Sequence, residues 1–121
     1  MKSTILIVAD EKIVREGLVR ALSNSYKAYH ASHCSDAIEI IDNNDDIQVV
    51  ISDIKITEAD GFEMLEKIRR RNEKIQVIFI TAFYSIESAV VAIRKGAFDY
   101  IEKPVDLRRL ETSIQNAIDN I

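Results

Sequence analysis

The chain has 121 residues, of which 47% are hydrophobic and 30% charged, with a formal net charge of −4. This fits one domain, residues 1–121, with a sizeable core, and excludes a disordered chain. The acidic balance argues against direct nucleic-acid contact, no apolar run approaches the ~20 residues of a membrane helix, and the lone Cys34 excludes an internal disulfide or a cysteine-built metal site.

Met1-Lys2-Ser3-Thr4 leads directly into Thr-Ile-Leu-Ile-Val-Ala (residues 4–9), a dry, β-branched run of the kind buried on both faces of a parallel sheet. With no leader-like segment, the chain reads as cytoplasmic. Asp10-Glu11 follow, and Ile13, Val14, Gly17, Leu18, Ala21 and Leu22 recur at helical spacing, predicting a helix from near Glu11 to Ser23–Ser25. A second strand is expected over Lys27–Ala31, then a short helix capped by Ser35 and stopped at Asp42-Asn43-Asn44. His30 and His33 have no partner motif and read as surface or loop residues.

Ile47-Gln48-Val49-Val50-Ile51-Ser52-Asp53 is the third and most apolar strand, and it ends on a carboxylate. A loop to Asp60-Gly61 precedes a helix with Phe62, Leu65 and Ile68 inward; its terminal Arg69-Arg70-Arg71 suits the helix dipole better than DNA. Ile75–Ile80 is a fourth strand closing on Thr81-Ala82, and Ile86, Ala89, Val90 and Ile93 mark the next helix, ended by Gly96. Phe98–Ile101 is a fifth strand leading to Glu102-Lys103-Pro104, and Asp106 caps a last helix with Leu107, Leu110, Ile114, Ala117 and Ile118 on one face. Five strands alternating with five helices predict a doubly wound α/β domain. The expected parallel sheet has the flavodoxin-like order 2-1-3-4-5, a (βα)5 fold. The chain ends close to the end of its last helix, as a one-domain protein or an excised domain would.

In such a sheet the carboxyl ends of all strands share one edge, and ligands bind there. That edge collects Asp10 and Glu11, Asp53, Thr81 and Lys103. Converging carboxylates favour a hard cation, most naturally Mg²⁺, and an ammonium and a hydroxyl beside it suit phosphoryl oxygens.

The runs Ile5-Leu6-Ile7-Val8-Ala9-Asp10-Glu11, Val50-Ile51-Ser52-Asp53, Asp60-Gly61, Thr81-Ala82 and Gly96 through Pro104 strongly resemble receiver (CheY-like) domains of bacterial two-component response regulators. The resemblance spans essentially the whole chain, and the stretch from Ala92 to Pro104 is most similar to receivers of transcription activators. It implies that Asp53 accepts a phosphoryl group from a sensor histidine kinase. It further implies that Asp10, Asp53 and the backbone carbonyl of Lys55 bind Mg²⁺, and that Thr81 and Lys103 contact the phosphoryl group, with small Ala82 leaving it room. Tyr100 matches the switch aromatic, and the Lys103-Pro104 peptide is expected to be cis. The fourth helix, fifth strand and last helix would form the output face, with Arg94, Lys95, Asp99, Arg108 and Arg109 exposed on it. That face would bind an output domain or a second copy in a homodimer. Such a domain is a regulatory phospho-acceptor, not an enzyme with an external substrate, and contacts neither nucleic acid nor membrane itself.

Two positions depart from the pattern. Ala9 stands where receivers carry the first of two acidic residues, which weakens Mg²⁺ binding unless Glu11 compensates, and Thr57 replaces a common proline in the loop from Ile54 to Ala59. Ala9 keeps open a degenerate receiver acting through phosphorylation-independent contacts. An unrelated Mg²⁺-dependent phosphotransfer enzyme or phosphatase would need a further loop for its acid, base or substrate pocket.

Overall fold

The structure, a computed structural model, describes residues 2–54 and 58–121. Strands and helices alternate strictly: β1 (Ser3–Val8), α1 (Lys12–Leu22), β2 (Tyr26–Ala31), α2 (Cys34–Asn43), β3 (Ile47–Ile54), α3 (Glu58–Arg71), β4 (Gln76–Thr81), α4 (Ile86–Arg94), β5 (Asp99–Glu102) and α5 (Leu107–Asp119). The strands pair in parallel in the order β2-β1-β3-β4-β5, the doubly wound arrangement expected from the alternation.

Alternation along each strand divides the core into two layers. Ile5, Ile7, Val49, Ile51, Ile78, Ile80 and Ile101 meet Leu22 of α1 and Leu110, Ile114 and Ala117 of α5. Leu6, Val8, Val50, Val77, Phe79 and Tyr100 meet Ala37, Ile38 and Ile41 of α2, Met64, Leu65 and Ile68 of α3, and Ala92 of α4. Because both faces are covered, the polar residues of the central strands lie toward their ends, and each large aliphatic buried between them contributes about 1.5–3 kcal/mol. The strand order reverses between β1 and β3, so a crevice opens beyond their carboxyl ends.

Local chemistry shifts several expected boundaries. α2 begins at Cys34, with His33 in the extended cap position, so Ser35 lies inside the first turn instead of capping it. α3 starts at Glu58 and takes in Asp60-Gly61, expected to end a loop; the helix that buries Met64, Leu65 and Ile68 extends back over that pair and outweighs its turn preference. β5 is Asp99–Glu102, while the Phe98 N–H donates to the Val77 carbonyl at 2.7 Å. The caps expected at Asp106 and Gly96 are present. Asp106 accepts from the Arg108 N–H at 2.9 Å, and Gly96, at φ +109°, leads the chain out of α4.

Candidate functional site

Asp53 is the residue that β3 delivers to the crevice. It has the strand parity of Val49 and Ile51, which directs its side chain toward the α1/α5 layer, and that side chain is 0% exposed. A carboxylate there is costly unless paired. Its partner is Lys103, which follows β5 and places Nζ 2.7 Å from Asp53 Oδ2. The Lys103 stem is fixed from behind, because its N–H donates to the Thr81 carbonyl at 2.8 Å, and the Lys103–Pro104 peptide is cis. Asp53 Oδ1 is buried and accepts no hydrogen bond from the described residues. An orphaned buried acceptor costs about 1–3 kcal/mol, and such atoms are usually explained by a function.

Thr81 ends β4, pairs in register with Ile54 and Glu102, and is buried. Its Oγ1 accepts from the Phe83 N–H at 2.9 Å, so the hydroxyl is tied to the start of the β4–α4 loop. Phe79 is two residues earlier on the same side of β4 and lies opposite Tyr100 in register. The Phe79 and Tyr100 rings meet edge to face at 6.3 Å, and Tyr84 of the β4–α4 loop lies 5.6 Å from Tyr100 on its other side. The β4–α4 loop thus joins Thr81, through the Phe83 N–H, to Tyr84, whose ring meets Tyr100.

The first crossover contributes differently. Ala9 is buried, and its carbonyl accepts from Arg15 Nη1 at 2.9 Å. Asp10 is exposed beyond β1, and Glu11 is the N-cap residue of α1 without a side-chain cap bond. Ala82 is exposed, and Lys55 lies outside the described residues. No group of three or more His, Cys, Asp or Glu side chains gathers among the described residues. The donor set on offer is thus carboxylates of Asp10 and Asp53, the latter with its orphaned Oδ1. That set fits Mg²⁺, which binds through one or two carboxylates and keeps several waters, and does not fit an all-side-chain cage.

Of the expected output-face residues, Arg94, Lys95 and Arg108 are exposed. Asp99 departs from that expectation. It is half-buried and bonded within the chain, accepting from Ser113 Oγ at 2.8 Å and lying 2.9 Å from Arg109. Arg15 and Arg69 were not singled out by motif, yet both bond main-chain carbonyls of other segments; a long side chain's reach has no signature in residue spacing.

A family model, the response regulator receiver domain, matches residues 5–115. The chain belongs to that family. Among curated relatives, it is 38% identical over 116 residues to the regulatory protein AtoC of Escherichia coli, covering 94% of this chain and 25% of that protein. The DNA-binding transcriptional regulator NtrC of Proteus hauseri is 31% identical, with 97% of this chain and 25% of that protein covered. This receiver chain therefore spans about a quarter of the length of these relatives. Among solved structures, a response regulator receiver domain protein from Clostridium thermocellum superposes with a TM-score of 0.90 at 29% identity, covering 98% of this chain and 95% of that one. A CheY-like receiver domain protein from Methanospirillum hungatei gives a TM-score of 0.88 at 28% identity, covering 99% and 96%.

Proposed function

We propose that this receiver accepts a phosphoryl group on Asp53 from the phosphohistidine of a sensor histidine kinase. The observation that carries this reading is the buried Asp53 carboxylate, with Lys103 Nζ on one oxygen and no hydrogen bond from the described residues to the other. In the transfer, a carboxylate oxygen attacks phosphorus; the P–O bond forms as the P–N bond breaks, and the departing imidazole takes up a proton. Lys103 meets the negative charge of the resulting acyl phosphate, and Thr81 exchanges its bond from the Phe83 N–H for one to a phosphoryl oxygen. Asp10, Asp53 and the main-chain carbonyl of Lys55, with Glu11 as a further candidate donor, would hold Mg²⁺, which would supply charge neutralisation for the transfer. Displacement of Thr81 would reach the β4–α4 loop through the Phe83 N–H and Tyr100 through the Tyr84 ring, and change the α4–β5–α5 face, which an output domain or a second copy reads. The domain acts as a regulatory phospho-acceptor and does not itself touch nucleic acid. No helix among the described residues is long and apolar enough to cross a membrane.

Ala9 favours one competing reading, a receiver that keeps the fold and signals by protein contacts alone. Intact mass after incubation with acetyl phosphate, with and without Mg²⁺, separates the two. A Mg²⁺-dependent adduct that is absent from Asp53→Asn is the expected result. A folded chain that stays unmodified at high Mg²⁺ would support the degenerate receiver instead.

A further inference from the structure

α4 is held at its two ends by different means. At its N-terminus, Ser85 Oγ accepts from the Ser88 N–H at 3.0 Å, a cap made within the helix's own first turn. Phe83 and Ile86 beside it are 70% and 76% exposed. At its C-terminus the restraint comes from elsewhere in the fold. Arg69, in the last turn of α3, donates to the carbonyl of Gly96 at 2.6 Å, and its Nη1 donates to the carbonyl of Ile75 just before β4. One planar guanidinium thus joins the end of α3, the start of β4 and the end of α4. The Phe98 N–H adds a bond to the Val77 carbonyl at 2.7 Å. A cation at a helix carboxyl terminus also meets the negative end of the helix dipole. Burial lowers the Arg69 pKa, with Glu73 opposing that shift, yet a guanidinium keeps its proton throughout the ordinary pH range.

We infer that Arg69 is a positioning residue for the switch. It pins the C-terminal end of α4, so that a rearrangement starting at Asp53 and Thr81 swings the helix about Gly96 instead of sliding it along the sheet. The trigger rests on the phospho-acceptor reading; the pin does not. The restraint lies at the amino edge of β4, and Thr81 lies at its carboxyl edge, so the two act on opposite ends of one helix. The moving end carries the most exposed apolar side chains, Phe83 and Ile86, and the fixed end is the one bonded to main chain.

The test uses amide hydrogen exchange and amide NMR shifts on the 121-residue chain, with Arg70→Gln as a control. Arg70 lies on the same helix and pairs only at the surface with Glu66 at 2.6 Å, 70% and 66% exposed. Arg69→Gln is expected to speed exchange at Gly96, Ala97 and Phe98 by about tenfold to a hundredfold, the range for losing charge-assisted hydrogen bonds, while Arg70→Gln leaves it unchanged. Arg69→Lys, which keeps the charge but not the fork, should fall between. Adding beryllofluoride as a phosphoryl mimic should shift the Phe83–Val90 amides and spare Gly96–Phe98 in the parent chain. In Arg69→Gln the shifts should spread to Gly96–Phe98. Exchange within twofold of the parent in a folded Arg69→Gln, or parent shifts as large at Gly96–Phe98 as at Phe83–Val90, would overturn the inference. If Arg69→Gln does not fold, the Arg69→Lys exchange and the parent shift pattern decide it. Were beryllofluoride to shift nothing in a folded chain, the Asp53 reading and the swing would both fall, and the exchange data would report on the pin alone.

Discussion

The two helices that flank β5 are attached in opposite ways. α5 turns Leu110, Ile114 and Ala117 into the core, and its Ser113 and Arg109 both reach the Asp99 carboxylate. α4 buries Ser88 and Ala92 and leaves Ile86, Val90, Val91 and Ile93 exposed. A helix that buries its apolar stripe draws its stability from that burial. A helix that buries only small side chains is placed mainly by the contacts at its ends, here the Ser85 cap and the Arg69 bond to Gly96. The difference gives the domain one helix anchored by packing and one placed by its ends, both beside β5.

Truncations should expose the contrast directly. Ile114→Ala is expected to have the largest effect, about 2–5 kcal/mol in urea unfolding, because the side chain is fully buried and its loss leaves a cavity in the α1/α5 layer. A cost below about 1 kcal/mol there would mean that α5 is held by its polar bonds and not by packing. Gly96→Ala should come next, at about 1–3 kcal/mol. The residue has φ +109°, and an added Cβ would lie 3.2 Å from Arg69 Nε, so the backbone strain and the crowded guanidinium act on the same end of α4. Hydrogen exchange should localise that loss to α4 and the turn after it.

The parts anchored by packing were far easier to read from sequence than the helix placed by its ends. Dry β-branched runs identified the strands because a sheet covered on both faces admits little else, and Leu110, Ile114 and Ala117 mark both a helix and the face it buries. In α4 the spacing of Ile86, Val90 and Ile93 identified the helix but not its buried side, since Ser88 and Ala92 pack inward and no periodicity rule favours them. The candidate site was legible as a set, because parallel topology alone brings Asp53, Thr81 and Lys103 to one edge. Its details were not: the orphaned Oδ1 of Asp53, the Arg15 bond to Ala9 and the Arg69 bonds depend on side-chain reach across elements. Arg69 was read only as a partner for the dipole of its own helix, and it also serves the end of another.

Ile86→Ala should have the smallest effect and is the sharpest check on the exposed stripe. Removing a side chain that is 76% exposed opens no cavity, and alanine is the better helix former, so the expected change in urea unfolding is within about 0.5 kcal/mol of zero. The same substitution would cost more only if water does not reach Ile86 in solution. In that case a second copy would be the cover, and the cost would grow with protein concentration, since association stabilises by mass action. A small, concentration-independent change would leave α4 as an open, water-exposed face of the single chain.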